Sequence, residues 1–243
     1  MRKRIDALLV ERGIFASRAR AQAAIEAGLV NAEGVAVTKA SQAVEENAVL
    51  QASEAHPYVS RGGVKLAAAL DAFALDPRGL ACLDIGASTG GFTDAMLQRG
   101  AASVVAVDVG TAQLARSLRD DARVTALENT DARTLTQGLV GAPQALTFDV
   151  SFISLTKIFP AVLPLAAPGA WLVALVKPQF EVGRAALVKG RVRDAAALAG
   201  AQAAVRRSAE ALGWRTLGEM PSPISGGDGA KEFLYAARHG ANS

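Results

Sequence analysis

Leu83-Asp84-Ile85-Gly86-Ala87-Ser88-Thr89-Gly90-Gly91 runs from an apolar stretch through a glycine-bearing turn into a helix start. Ala81 to Ile85 reads as a buried strand and Gly91 to Arg99 as the helix, so the turn lies at the strand's carboxyl end. Its glycines let the backbone approach a ligand. Upstream, Gly63 to Ala74 has a helical pattern. Downstream come strand Ser103 to Val107, helix 111 to 119, strands 123 to 127, 145 to 149 and 171 to 176, a long helix near 194 to 212, and strands around 214 to 219 and 232 to 237. Such alternation predicts an α/β domain with a mostly parallel sheet and helices on both faces. An open sheet of this kind places its site outside the carboxyl ends of its strands.

The residues before Gly62 follow a different plan. Arg4 to Arg12 carries Ile5, Leu8 and Leu9 at helical spacing, and Gly13 supplies a stop. Ser17 caps a second helix that runs to Ala27, with Gly28 behind it. Leu29 to Asn31 and Val35 to Val37, joined by Ala32-Glu33-Gly34, read as a short hairpin, and Val49 to Gln51 as one more strand. The division expected is a small domain over residues 1–52, a linker over 53–60 that contains His56-Pro57, and a larger domain over 61–243. The small unit has too little core for chemistry of its own, but it can present a surface.

Composition narrows the classes. A chain of 243 residues suits one medium and one small domain. The single cysteine, Cys82, lies in an apolar run; no intrachain disulfide can form, and a reducing, cytoplasmic location is expected. Asp6, Glu11 and Arg12 interrupt any secretory signal. Ile158 to Val176 is uncharged, yet Pro160, Pro164, Pro168 and Gly169 break it into a helix, a turn and a strand, so no membrane span and no stable membrane association are expected. The net charge of +3 is unevenly spread. Residues 1–20 hold six basic side chains against two acidic ones, and residues 177–215 hold eight against three. Two basic patches on one chain point to a polyanion, nucleic acid before others, although each alone could be an ordinary solvated face.

Which cofactor the first turn suits depends on Asp84. A pyrophosphate-binding turn uses G-x-G-x-x-G and bare amides at a helix N-terminus. Here Ser88 replaces the second glycine, and a carboxylate at Asp84 beside the turn would repel a pyrophosphate while attracting an ammonium group. S-adenosylmethionine offers an ammonium and no phosphate. Asp108, at the end of the second strand, suits a ribose diol. Asp131 could accept from an adenine amino group. Each aspartate alone could simply cap a loop; taken together in this order they favour the methyl donor.

The chemistry must come from Lys, Asp and Glu, because the two histidines, His56 and His239, lie in the linker and near the end of the chain. A His-dependent triad or His-rich metal site is not expected. Lys65 lies just inside a helix start, while Asp149 and Lys177 lie at strand ends; Glu232 opens the last strand. Methylating a ribose hydroxyl calls for a base near its proton and positive charge near the developing oxyanion, and two lysines with two carboxylates supply both. In this reading Lys177 is the base, Asp149 orients lysine and hydroxyl, and Lys65 and Glu232 complete the ion network. Asp149-Val150-Ser151-Phe152 lacks the proline pair that an amine-methylating enzyme would place there.

Two resemblances extend this reading. Arg4-Ile5-Asp6, Gly13, Ser17-Arg18, Ala21, Ile25, Gly28-Leu29-Val30 and Gly34 resemble the S4 RNA-binding domain. That resemblance implies an RNA-binding helical face with Arg4, Arg18 and Arg20 near phosphates, and Arg61 is placed with them. Over nearly the whole chain, Tyr58 to Leu66, Asp84 to Thr93, Asp149 to Leu155 and Val176 to Glu181 look like the TlyA, or haemolysin-A-like, family. The resemblance implies an S4-type α+β domain joined to a Rossmann-like, FtsJ-like methyltransferase sheet, with S-adenosylmethionine as cofactor. Its implied activity is 2'-O-methylation of cytidine in ribosomal RNA, and its implied partners are ribosomal RNA or ribosomal subunits. The family's Lys-Asp-Lys-Glu tetrad falls on Lys65, Asp149, Lys177 and Glu232. The implied cofactor contacts are Asp84, Gly86, Ser88, Gly90, Gly91, Phe92, Asp108 and Asp131, with no metal. The chain departs from the family at Gly110-Thr111-Ala112-Gln113-Leu114, at Asp131 and at Gly229-Ala230-Lys231-Glu232. Its end soon after the last strand resembles the family's shorter form, which acts on large-subunit RNA. Two other readings stay open: a membrane-active haemolysin, and an RNA-binding assembly factor without catalysis.

Overall fold

The computed structural model describes residues 1–53, 56–183, 186–188, 190–226 and 229–240. The chain divides into two compact units, Met1–Arg61 and Gly62–Ser243.

The first unit contains β1 (Arg2–Arg4), α1 (Ile5–Glu11), α2 (Arg18–Glu26), β2 (Val30–Ala32), β3 (Val35–Ala36), β4 (Ala43–Glu45) and β5 (Leu50–Ala52). Ser17 caps α2 by accepting from the Arg20 amide at 3.3 Å, and Gly13 and Gly28 end the two helices with φ of 69° and 72°. Ile5, Leu8 and Leu9 of α1 pack on Ala21, Ala24 and Ile25 of α2 over Val30. Strand β2 is paired with β3 and β5, and β1 with β4, all antiparallel. The β1–β4 pair is not evident in the sequence, because Arg2-Lys3-Arg4 has no apolar alternation to mark a strand.

The second unit contains, in order, α3 (Gly62–Ala72), β6 (Ala81–Ile85), α4 (Gly91–Gln98), β7 (Ser103–Val107), α5 (Arg116–Arg119), β8 (Val124–Leu127), α6 (Gln137–Val140), β9 (Ala145–Phe148) and α7 (Leu155–Val162). There follow β10 (Trp171–Val176), α8 (Pro178–Glu181), β11 (Leu187–Val188), β12 (Arg191–Val192), α9 (Ala195–Glu210), β13 (Trp214–Pro221) and β14 (Phe233–His239). The main sheet has seven strands in the order β13-β14-β10-β9-β6-β7-β8. Pairing from β10 to β8 is parallel, while β14 is antiparallel to both neighbours. Every residue of β9 and β10 is buried, which explains their continuous apolar runs: helices cover both faces, so neither face needs polar side chains. Leu146, Phe148, Phe159, Leu172 and Trp214 are among the largest members of this core.

The helix expected over 111–119 shrinks to the single turn of α5. The preceding loop turns at Ala112, φ 54°, and offers its amides to a distant acceptor: Glu128 takes hydrogen bonds from Ala112 N at 2.9 Å and Gln113 N at 3.1 Å. Segment 158–176 divides into a helix end, a turn and a strand as expected, although α7 runs through Pro160 and stops only before Pro164; among the described residues no helix is long and apolar enough to cross a membrane. Cys82 is buried in β6, and desolvation pushes its thiol up to about 12, which leaves it inert.

Candidate active site

The turn after β6 is held open by backbone geometry. Gly86 and Gly90 take φ of 81° and 99°, and Ser88 between them takes 48°. Asp108, at the end of β7, ties the turn to the next loop: Oδ2 accepts from Ser88 N at 2.8 Å and Oδ1 from Gly110 N at 2.7 Å. Between these loops and the segment after β9 lies a cleft of about 570 Å³, within the range of small-molecule and cofactor sites. Its polar wall holds Ser88, Asp108, Gln113, Thr130 and Asp131, and Val107, Val109, Val150 and Ile158 make the apolar one.

The cleft separates the cofactor candidates. Gly86, Ser88, Asp108 and Asp131 line it; Asp84, Gly90, Gly91 and Phe92 do not. Asp84 is fully buried and accepts from Thr93 Oγ1 at 2.7 Å and Thr147 Oγ1 at 2.8 Å. Burial pushes its carboxyl up to about 6, against the two threonine hydrogen bonds. It therefore braces β6 against α4 and β9 from behind the turn. Gly90 serves the turn by leaving room for Leu114 and Leu118, and Phe92 is buried in α4. Asp131 is gripped by Arg133 through both oxygens, and this hydrogen bonding holds its carboxyl down at about 2. Gln113 and Thr130 had no distinguishing spacing in the sequence.

The four ionisable candidates gather at the same sheet edge as two ion pairs. Lys177 Nζ lies 2.7 Å from Asp149 Oδ1, and Lys65 Nζ lies 2.5 Å from Glu232 Oε2. Strand register explains the gathering. The β10–β14 ladder closes on Val176↔Phe233, so Lys177 and Glu232 leave it side by side. Phe148 pairs with both Ala174 and Ile85, which delivers Asp149 to the same edge next to Gly86. The Lys65 and Glu232 side chains keep 11% and 5% of their exposure, and those of Lys177 and Asp149 keep 12% and 24%, so solvent screens neither pair strongly. Asp149 Oδ1 is itself buried and, among the described residues, receives no well-angled hydrogen bond, leaving acceptor capacity unused.

Three supports escape a reading by charge alone. Ser151 Oγ accepts from Lys177 Nζ at 2.8 Å, giving the ammonium a second fixed partner. Glu181 accepts from Ser154 Oγ at 2.5 Å and Leu155 N at 3.0 Å, joining α8 to the start of α7. Burial raises its carboxyl above the usual range. Gly226 faces the Glu232 carboxylate so closely that any side chain there would displace it. Phe152, with φ 68°, stands 92% exposed at the cleft rim, tilted against Phe180 with ring centroids 5.3 Å apart.

In the first unit, the expected RNA-facing arginines are already engaged. Arg4 and Arg18 converge on Asp6 Oδ2 at 3.0 and 2.7 Å, and Arg4 also reaches Oδ1. Arg20 donates to the Tyr58 and Pro57 carbonyls, and Arg61 pairs with Glu26 at 3.0 Å. The Arg4, Arg18 and Arg61 side chains remain about half exposed, so each can still reach a phosphate.

Comparison with known proteins agrees with this architecture. The FtsJ-like methyltransferase family matches residues 58–239, and the S4 domain family matches residues 3–50. The 16S/23S rRNA (cytidine-2'-O)-methyltransferase TlyA of Mycobacterium tuberculosis is 46% identical over 98% of this chain and 90% of its own length. The chain belongs to the TlyA family of FtsJ-like methyltransferases. Another TlyA relative, the 23S rRNA (cytidine-2'-O)-methyltransferase of Campylobacter jejuni, is 37% identical over 73% of this chain and 70% of its own length. A structure from Streptococcus thermophilus that carries a hemolysin name superposes with a TM-score of 0.79 at 40% identity, covering 100% of this chain and 90% of that one. The TlyA assignment fits the cleft and the tetrad edge, which the fold places next to each other through Gly86 and Asp149.

Proposed function

We propose that this TlyA-family enzyme uses S-adenosylmethionine to methylate the 2'-hydroxyl of a cytidine in ribosomal RNA, with large-subunit 23S RNA as the first target and 16S RNA as the second. The observation that carries the reading is the tetrad of ion pairs beside a nucleoside-sized cleft. The donor set of the cleft suits the cofactor. Asp108 can accept from a ribose diol, Asp131 and Thr130 can meet an adenine edge, and Val109 and Ile158 give the ring apolar walls. When bound, S-adenosylmethionine supplies an electrophilic methyl group on a sulfonium centre.

The chain's own residues then handle the hydroxyl. Lys177 takes its proton, leaving the oxygen to accept the methyl group that the bound cofactor would supply. To act as a base Lys177 must first be neutral, and Asp149 at 2.7 Å is placed to orient both the amine and the incoming hydroxyl. Lys65, held by Glu232, keeps positive charge at the edge where the oxyanion develops. The relatives named for cytidine-2'-O-methylation support the substrate class.

The test is incubation with tritiated S-adenosylmethionine and ribosomal subunits from a strain lacking the activity, followed by nuclease mapping. Label on a cytidine ribose that disappears with Lys177→Ala is the expected result. No label on either subunit or on naked RNA, from folded protein, would sink it.

A further inference from the structure

Beyond the tetrad, at the β10–β14 end of the same sheet edge, three cations meet that the reaction does not use. Arg191 and Arg193, on and just after β12, and Lys231, immediately before Glu232, line a shallow cleft of about 220 Å³ together with Gln179 and Gly229. All three are exposed, and among the described residues none has an acidic partner. Elsewhere in this unit Arg99, Arg116, Arg123, Arg133 and Arg206 pair with Asp71, Asp120, Asp121, Asp131 and Glu219, whereas Arg207 and Arg215 have no acidic partner among the described residues; what sets the three cations apart is that they share one cleft. Like charges held together without compensation repel one another, and such a field attracts an anion.

The backbone that carries these cations is built from paired segments. Arg191 sits in the β11–β12 hairpin opposite Val188. The loop before Lys231 is closed by Gly226 N donating to Ala230 O at 3.0 Å. Gly229 takes φ 72°, a left-handed turn that favours glycine, next to the Arg191 guanidinium. Lys231 is one residue from Glu232, and Gln179 is two from Lys177, so the cleft begins where the tetrad ends.

We infer that this cleft holds a phosphodiester of the RNA strand flanking the ribose to be methylated. The inference rests on the ribose-methylation reading for its position, though not for its charge. Two guanidiniums and an ammonium offer more than enough charge and donors for the single negative charge and two free oxygens of a phosphodiester, and Gln179 adds an amide donor. Seated there, the backbone would fix the register of the strand, leaving the nucleotide at Lys177 to be presented edge-on to the tetrad.

The test uses the full chain with the triple variant Arg191→Gln, Arg193→Gln, Lys231→Gln, and measures equilibrium binding of large-subunit ribosomal RNA across a salt series. Binding should weaken by roughly tenfold or more, with the slope of log affinity against log salt shallower by about one. The half-saturating RNA concentration for methyl transfer should rise in parallel, and the charge-retaining Arg191→Lys, Arg193→Lys variant should recover most of the affinity. Arg78→Gln, on the loop before β6 at the opposite edge of the sheet, controls for bulk charge, and thermal unfolding controls for folding. Wild-type affinity and slope in the triple variant would overturn the site. So would an equal loss from Arg78→Gln. If the wild-type protein transfers no methyl to RNA while the triple variant still loses RNA affinity and salt slope, the phosphate site stands and the ribose reading is what fails.

Discussion

Gly86 and Asp149 meet through the backbone: a Cβ added to Gly86 would lie 2.5 Å from the Asp149 carbonyl oxygen. The turn that shapes the cofactor cleft and the strand end that carries the carboxylate are therefore packed as one piece. Gly86→Ala should cost about 1–3 kcal/mol of stability through its φ of 81° and this clash. It should also weaken S-adenosylhomocysteine binding and slow methyl transfer together. Calorimetric titration beside a turnover assay checks this; loss of only one of the two would show that the pieces move independently.

Removing the lysine amine should separate binding from chemistry. Lys177→Ala should lower the rate of methyl transfer by about 10²–10⁴-fold while S-adenosylhomocysteine affinity stays within about twofold, because Lys177 does not line the cofactor cleft. Asp149→Asn should share the rate loss. The two together should lose far less than the product of their separate effects, since they act as a unit. Single-turnover rates of the three variants decide.

Gly226 offers a way to disturb Glu232 without changing any charge. In Gly226→Ala the new methyl would meet the carboxylate and push it from Lys65. Methyl transfer should fall by about tenfold or more for a displaced ion pair of roughly 1–2 kcal/mol. Activity equal to wild type would mean that the Lys65–Glu232 pair is dispensable.

Asp84 should give the fold a pH signature. Its carboxyl, raised to about 6 by burial, binds its proton more tightly in the folded chain than in the unfolded one, where an aspartate titrates near about 3.9. The folded state is thus favoured most below the unfolded value, and this contribution is lost as pH rises through about 6. Asp84→Asn should flatten that limb, by on the order of 2–3 kcal/mol across the window. Denaturant unfolding of both proteins between pH 4 and 7 measures it.

In the first unit Asp6 works with the opposite sign. Hydrogen bonds from Arg4, Arg18 and Gln22 hold its carboxyl well below the usual range, so its contribution is present above the unfolded value and is lost as pH falls through the folded one. Asp6→Ala should destabilise this unit by about 1–3 kcal/mol, read by amide exchange over α1 and α2. Unchanged protection there would show that the arginines are held by other contacts.

Much of this could be read in the chain because its signals are local. Ser17 and Asp194 stand one residue before the helices they cap, and the apolar runs of β6, β7 and β10 coincide with strands of matching bounds. What stayed hidden depends on partners far away in sequence. The loop at 111–115 looks helical until Glu128 draws its amides outward. Asp84 belongs to a strand buried on both faces, and its neighbours do not reveal that its carboxylate turns to Thr93 and Thr147 instead of the cleft. Ser151 and Gly226 gain their roles only from what folds against them.

The placement of Glu232 at the entry to β14 has a consequence for how activity arises during synthesis. Lys65 waits for a partner 167 residues later, one residue before a strand that must slot between β13 and β10. The residues that line the cleft, 85 to 158, are all synthesised well before that strand emerges. The two ion pairs are therefore brought to one edge only by the last insertion into the sheet, which ties the end of the chain to its beginning.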